Sequence, residues 1–93
     1  MKHYIIAKFK KDYDFRLLVG SITDLFNGVL QVPGIHGVNV IPNCVDRPNR
    51  FDLMIEIDMD KEALEAYDAC EAHKQWKREY GDMLEAKTIF DRM

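Results

Sequence analysis

The sequence predicts an α+β fold of four strands and two helices, in the order strand, helix, strand, strand, helix, strand. Three observations carry this. Phe51, Leu53, Ile55 and Ile57 alternate with Asp52, Met54, Glu56 and Asp58, a period of two that gives a strand one apolar face. Phe15, Leu18, Ile22, Leu25, Phe26 and Val29 recur at three- and four-residue steps, the spacing of an amphipathic helix. Asp60, a residue type that caps helices, opens a run of strong helix formers from Lys61 to Ala66.

The elements follow in order. His3 to Lys10 alternates as a first strand, with His3, Ile5, Ala7 and Phe9 on one face and Tyr4, Ile6, Lys8 and Lys10 on the other. Lys11 to Asp14 is a polar turn, and Asp12 or Asp14 can cap the helix from Phe15 to Leu30. Gly20 and Gly28 weaken that helix by roughly 1 kcal/mol each against Ala, so packing must hold it. Pro33-Gly34 breaks the chain, and His36 is expected in the turn, at the surface. Val38 to Asn43 is a short strand, which Pro42 confines to an edge or to the strand's end. Cys44 to Arg50 is a polar loop. The alternating strand and its helix come next, with Trp76 and Tyr80 continuing the helical pattern and Gly81 as its stop. Leu84 to Asp91 is the last strand, anchored by Ile89 and Phe90.

This order is the split βαβ plan of a ferredoxin-like antiparallel sheet, with both helices on one face. The other face stays bare and is expected to carry Tyr4, Ile6, Met54 and Ile89. An apolar face of that kind calls for a partner. A second copy, sheet against sheet, closes a dimeric α/β barrel economically.

Composition narrows the function. The 93 residues make one domain, 1–93, and the 47% hydrophobic content supports a core. The net charge of −3 argues against nucleic acid, which needs a basic surface. Lys8, Lys10 and Lys11 cluster, but Asp12 and Asp14 follow them. No segment is long and apolar enough to span a bilayer, and no signal peptide is expected. Cys44 and Cys70 lack CxxC spacing and suit reduced thiols, so a cytoplasmic location is expected.

Several segments together resemble the stress-responsive A/B barrel (Dabb) family. They are His3 with the alternating strand to Lys8-Phe9-Lys10, Pro33-Gly34-Ile35, Lys61-Glu62-Ala63-Leu64-Glu65-Ala66-Tyr67 followed by His73, and Ile89-Phe90-Asp91. The resemblance spans nearly the whole chain and implies a homodimeric α/β barrel. An enzymatic branch of the family, similar to olivetolic acid cyclase, works without a cofactor. Carried over, its site falls on His3, Tyr67 and His73. A further histidine of that branch falls at Phe51 or Asp52, and its His-Pro pair is here Cys70-Glu71.

The residues allow this chemistry on one condition. His73 could serve as a general base and Tyr67 could donate to a forming oxyanion, with His3 reaching the same cavity. Tyr67 and His73 are six positions apart, roughly 120° out of line on a straight helix, so they converge only if the helix breaks between Asp68 and Glu71. The plainer alternative has both histidines hydrogen-bonded at a rim and Tyr67 packed in the core. Trp76 and Tyr80 could floor a pocket or pack on the first helix through Phe15 or Phe26. The acidic run Asp52, Glu56 and Asp58 reads as a solvated or rim face, and no histidine pair has metal-ligand spacing. No cofactor or metal is expected.

The expected function is a small homodimer binding a hydrophobic or aromatic compound, with Ile5, Phe26, Leu53, Trp76 and Tyr80 around it. A cofactor-free cyclase- or lyase-like enzyme using His73, Tyr67 and His3 is the alternative. A cofactor-free monooxygenase is a further one, by analogy of fold.

Overall fold

Alternation decides the sheet. In the computed structural model, which describes residues Met1–Met93, β1 (Lys2–Phe9) buries His3, Ile5, Ala7 and Phe9 and leaves the residues between them half-buried. β3 (Leu53–Met59) does the same with Leu53, Ile55, Ile57 and Met59. The two pair antiparallel, Ile5 opposite Ile55 and His3 opposite Ile57, so both buried sets share one face. β2 (Ile35–Pro42) flanks β3, and β4 (Leu84–Arg92) flanks β1. The order is β2-β3-β1-β4, antiparallel throughout. Each fully buried isoleucine contributes about 1.5–3 kcal/mol. A one-residue slip would turn Ile5, Ile55 and Ile57 outward together, so these residues fix the register. Pro42 ends an edge strand, where its missing N–H costs least.

The helices lie against the buried face. Asp14 opens the first segment by accepting the Arg16 N–H at 3.1 Å. A 3-10 turn (Phe15–Leu17) leads into α1 (Val19–Asn27), which tightens again over Gly28–Gln31. Ile22, Phe26 and Val29 are fully buried on the side that the spacing predicts. The second segment is a 3-10 turn (Lys61–Ala63), α2 (Leu64–Ala69) and α3 (Glu71–Tyr80). Tyr67, Trp76 and Phe26 join Ile5, Ile55 and Ile57 in one core. No helix is long and apolar enough to cross a membrane.

Two expectations are corrected. β2 begins at Ile35 rather than Val38, so His36 sits in a strand bulge and not in a turn. Its ring pairs with Asp60 at 2.9 Å, and Asp60, at the N-cap position, makes no cap bond with its side chain. Ile89 lies opposite Ile5 and so belongs to the helix side of the sheet, while Phe90, opposite Tyr4, takes the outer face. Register, not apolar character, sorts these two. Tyr4, Ile6, Ile41, Met54 and Phe90 together make the outer patch.

Gly34 makes the early start of β2 possible. Its φ is 91°, a conformation that other residues adopt only with strain, and an added Cβ would stand 2.9 Å from the Ala63 Cβ. Gly34→Ala is therefore expected to cost about 1–3 kcal/mol. A urea melt followed by circular dichroism measures this, and an unchanged midpoint would contradict it.

Candidate functional site

The helix breaks where convergence requires it. α2 ends at Ala69, Cys70 is extended (φ −73°, ψ 155°), and α3 starts at Glu71. No proline is involved. A helix end leaves its last carbonyls without intrahelical donors. Here the Asp68 carbonyl accepts from His73 Nδ1 at 3.0 Å, while the Cys70 carbonyl opens α3 by accepting the Lys74 N–H at 3.2 Å. The rings of Tyr67 and His73 end 4.7 Å apart, centroid to centroid.

The break invites a direct check. Glu71 is the first residue of α3, where proline is favoured, and Cys70 before it already has the backbone that a following proline requires. Glu71→Pro should leave stability within about 1 kcal/mol. In an unbroken helix the same change would cost about 3 kcal/mol. Thermal melts of the two proteins decide between these values.

His3 approaches Tyr67 from the sheet. Its ring is 5.2 Å from the phenol ring, and the residue is 5% exposed. Across the β1–β4 pairing, His3 Nδ1 lies 2.5 Å from Asp91 Oδ1. The carboxylate accepts this N–H, so in the neutral ring Nε2 carries the lone pair. The Asp68 carbonyl imposes the same tautomer on His73, because a carbonyl can only accept.

Tyr67 has its ring close to both imidazoles. Its hydroxyl is buried and has no hydrogen-bond partner. Burial pushes the phenol well above its ordinary range, and Cys70 and Asp68 push in the same direction. The group therefore stays neutral and can donate. An unmet buried hydroxyl costs about 1–3 kcal/mol, so it is held in place by its surroundings.

These residues line a cleft of about 310 Å³ with Ile5, Leu64, Asp68, Trp76, Lys77, Lys87, Ile89 and Asp91. Its origin is legible in β4. The helix-side positions there are Lys87, Ile89 and Asp91, opposite Ala7, Ile5 and His3. Charged residues on that face do not pack under a helix, and the gap beside α3 stays open.

The structure brings His3, Ile5, Tyr67, His73 and Trp76 together in this cleft and places Phe26, Leu53 and Tyr80 elsewhere. Phe26 lies fully buried with its ring 5.3 Å from Trp76. Leu53 is level with Ala7 rather than His3. Tyr80 stacks on Trp76 at 5.4 Å, and its hydroxyl bonds Ser21 Oγ at 2.8 Å. Trp76 thus both packs on the first helix and lines the cleft. Asp91, Lys77 and Lys87 were not foreseen as site residues. For Lys87 and Asp91 the signal was the charge at alternate positions of the last strand; Lys77, on α3, had none.

Other chemistry is less supported. The carboxylates Asp52, Glu56 and Asp58 are each engaged separately: by the Phe9 N–H at 2.8 Å, by Asn39 at 3.1 Å and by Lys2 at 3.5 Å. No three His, Cys, Asp or Glu side chains are grouped to hold a metal ion. A larger groove, about 860 Å³, opens between α1 and α3. It contains neither a histidine nor an unpartnered buried polar atom.

No family model and no curated protein matches the sequence. Solved structures share its fold. A protein from Arabidopsis thaliana is 20% identical with a TM-score of 0.77, covering 99% of this chain and 92% of that one. A dimeric ferredoxin-like protein from Thermobifida fusca is 11% identical with a TM-score of 0.79, covering 96% and 85%. A Dabb family protein with a ferredoxin-like fold, from Mesorhizobium loti, is 12% identical with a TM-score of 0.72, covering 99% and 93%. A candidate antibiotic biosynthesis monooxygenase from Bacteroides thetaiotaomicron also superposes, at 17% identity, a TM-score of 0.73 and coverage of 100% and 87%. The ferredoxin-like fold implied by the sequence is the fold of these proteins.

Proposed function

We propose that this chain is a Dabb-type protein that works as a homodimer and binds a small hydrophobic or aromatic carbonyl compound in the cleft between α3 and β4. One observation carries this reading: Tyr67, whose hydroxyl is buried and unpartnered, has its ring 5.2 Å from that of His3 and 4.7 Å from that of His73, two imidazoles with defined tautomers. A carbonyl oxygen reaching that hydroxyl would gain a hydrogen bond that no protein group supplies. Ile89 offers exposed apolar surface for the rest of the ligand, with Ile5 and Trp76 buried behind it. The outer patch of Tyr4, Ile6, Met54 and Phe90 supports the dimer, as does the dimeric state named for the Thermobifida fusca protein.

The same geometry favours acid/base work as a second reading. A neutral phenol donates to the oxygen where negative charge develops, and the Nε2 lone pair of His73 or His3 takes a proton from the adjacent carbon. Trp76, the single tryptophan, lines the cleft and reports occupancy through its emission. Titration with aromatic and polyketide-like ketones should give a saturable change in that emission. Where turnover is found, His73→Ala should lower it about 10²- to 10⁴-fold with little change in affinity. A flat titration with every compound would sink the proposal. Oxygen consumption with the same compounds would instead support a monooxygenase.

A further inference from the structure

We propose that the groove between α1 and α3 docks a cationic amphipathic helix of another protein. The groove is separate from the cleft, and the two share no lining residue. The sequence marks this surface first. Residues 17–35 carry one charged side chain, Asp24, in a chain whose charged content is 31%. Burial does not account for that, because Leu17, Gly20, Ser21, Asn27, Leu30 and Gln31 are all exposed. Leu17 and Leu30, at 82% and 46%, stand in the turns that open and close α1. Depletion of charge from an exposed surface is the compositional mark of an interface core. Gly20 points the same way. Its φ is not positive, and an added Cβ would meet nothing within 4 Å. It still costs the helix about 1 kcal/mol against Ala. The fold has no need of it, whereas a second helix approaching closely does.

The groove has the shape and the sign for such a guest. α1 and α3 run antiparallel along it. The Ser21 and Tyr80 hydroxyls bond at 2.8 Å at one end, and Gly28 packs on Ala72 at the other. From Ser21 to Gln31 the groove runs about 15 Å, or about three helical turns. Leu25, Val32 and Ala72 form a half-buried apolar wall, which suits the apolar stripe of a helix. No strand lines the groove, so an added strand would have nothing to pair with. The charges there are all negative: Asp24, Glu71 and Glu79, with no Lys, Arg or His in the lining. Arg78 engages Glu71 at 3.3 Å and the Gln75 amide engages Glu79 at 3.1 Å. These carboxylates call for cations beside the guest's apolar stripe. A second copy does not supply them. Two α1 helices crossing on a two-fold axis would set Asp24 against Asp24.

The test uses two fluorophore-bearing peptides of about 14 residues with the apolar period of a helix, one of leucine and lysine, the other of leucine and glutamate. Anisotropy titrations with the full chain at about 20 mM salt should show the lysine peptide bound about tenfold more tightly, the gap narrowing at about 200 mM. D24N/E79Q should weaken the lysine peptide about five- to tenfold. D12N/D46N removes the same charge at exposed positions outside the groove and should leave binding within about twofold. Equal loss in the two variants would mean attraction to net charge alone and overturns the docking surface. Equal binding of the two peptides, or binding of neither, does the same. Sedimentation covers the other occupant: assembly beyond a dimer that D24N/E79Q strengthens would seat a second copy in the groove and overturn the proposal too. All four positions are exposed, so both variants are expected to fold, and circular dichroism verifies it.

Discussion

Trp76→Ala is expected to cost about 3–5 kcal/mol of stability, a large share of the roughly 5–15 kcal/mol that holds a domain folded. Trp76 is 1% exposed and lies on Phe26 edge-to-face at 5.3 Å and on Tyr80 at 5.4 Å. Each such aromatic pair adds about 0.5–1.5 kcal/mol beyond the area it buries. The indole docks α3 onto α1, and its loss leaves a cavity that the fixed sheet cannot collapse to fill. Urea unfolding followed by circular dichroism measures the effect. Trp76→Phe retains a ring and should lose distinctly less. A loss of under about 1 kcal/mol in the alanine variant would mean that α3 does not depend on this contact.

Tyr67→Phe should act in the opposite direction on stability. It removes the one buried hydroxyl without a partner and keeps the ring in place. A gain of about 1–3 kcal/mol follows, or roughly 4–8 °C in Tm for each kcal/mol in a domain of this size. The phenol supplies a second signature. Its folded-state pKa lies above its unfolded value, chiefly through burial. The unfolded chain therefore releases this proton first, and stability falls as pH rises above about 10, the unfolded pKa. Below that pH the contribution is fully present. Tyr67→Phe should flatten this part of the stability-against-pH curve. If the carbonyl reading holds, it should also lower affinity or turnover, so that the more stable protein is the less active one. A variant that is both less stable and fully active would contradict the role given to the hydroxyl.

Much of the fold was legible in the sequence because the sheet is written in alternation. Strands β1 and β3 carry the clearest period of two, and their burial follows it residue by residue. Pro42 announced the edge. The site was harder. Tyr67, His73 and His3 came from the family resemblance, and the condition for their meeting could be stated but not decided. A helix break that relies on the Asp68 carbonyl and the His73 ring rather than on proline leaves no local composition signal. Ile89 was misplaced because β4 is short of apolar residues on both faces, so periodicity could not say which face was inward. Asp91 and Lys87 were missed for a related reason: a charge in an edge strand looks like solvent exposure until the partner strand is known. Phe26 and Leu53 were drawn into the expected pocket because a core residue and a pocket residue obey the same spacing.

The interruption at Cys70 also separates two things that a continuous rod would tie together. Because α3 restarts its own count, adding or removing one residue at that joint would swing His73 by roughly 100° about the axis. Tyr67, His3 and the strands beneath would keep their places. Trp76 and Tyr80 would turn with His73, so the same contact that docks α3 on α1 also fixes the direction in which His73 points.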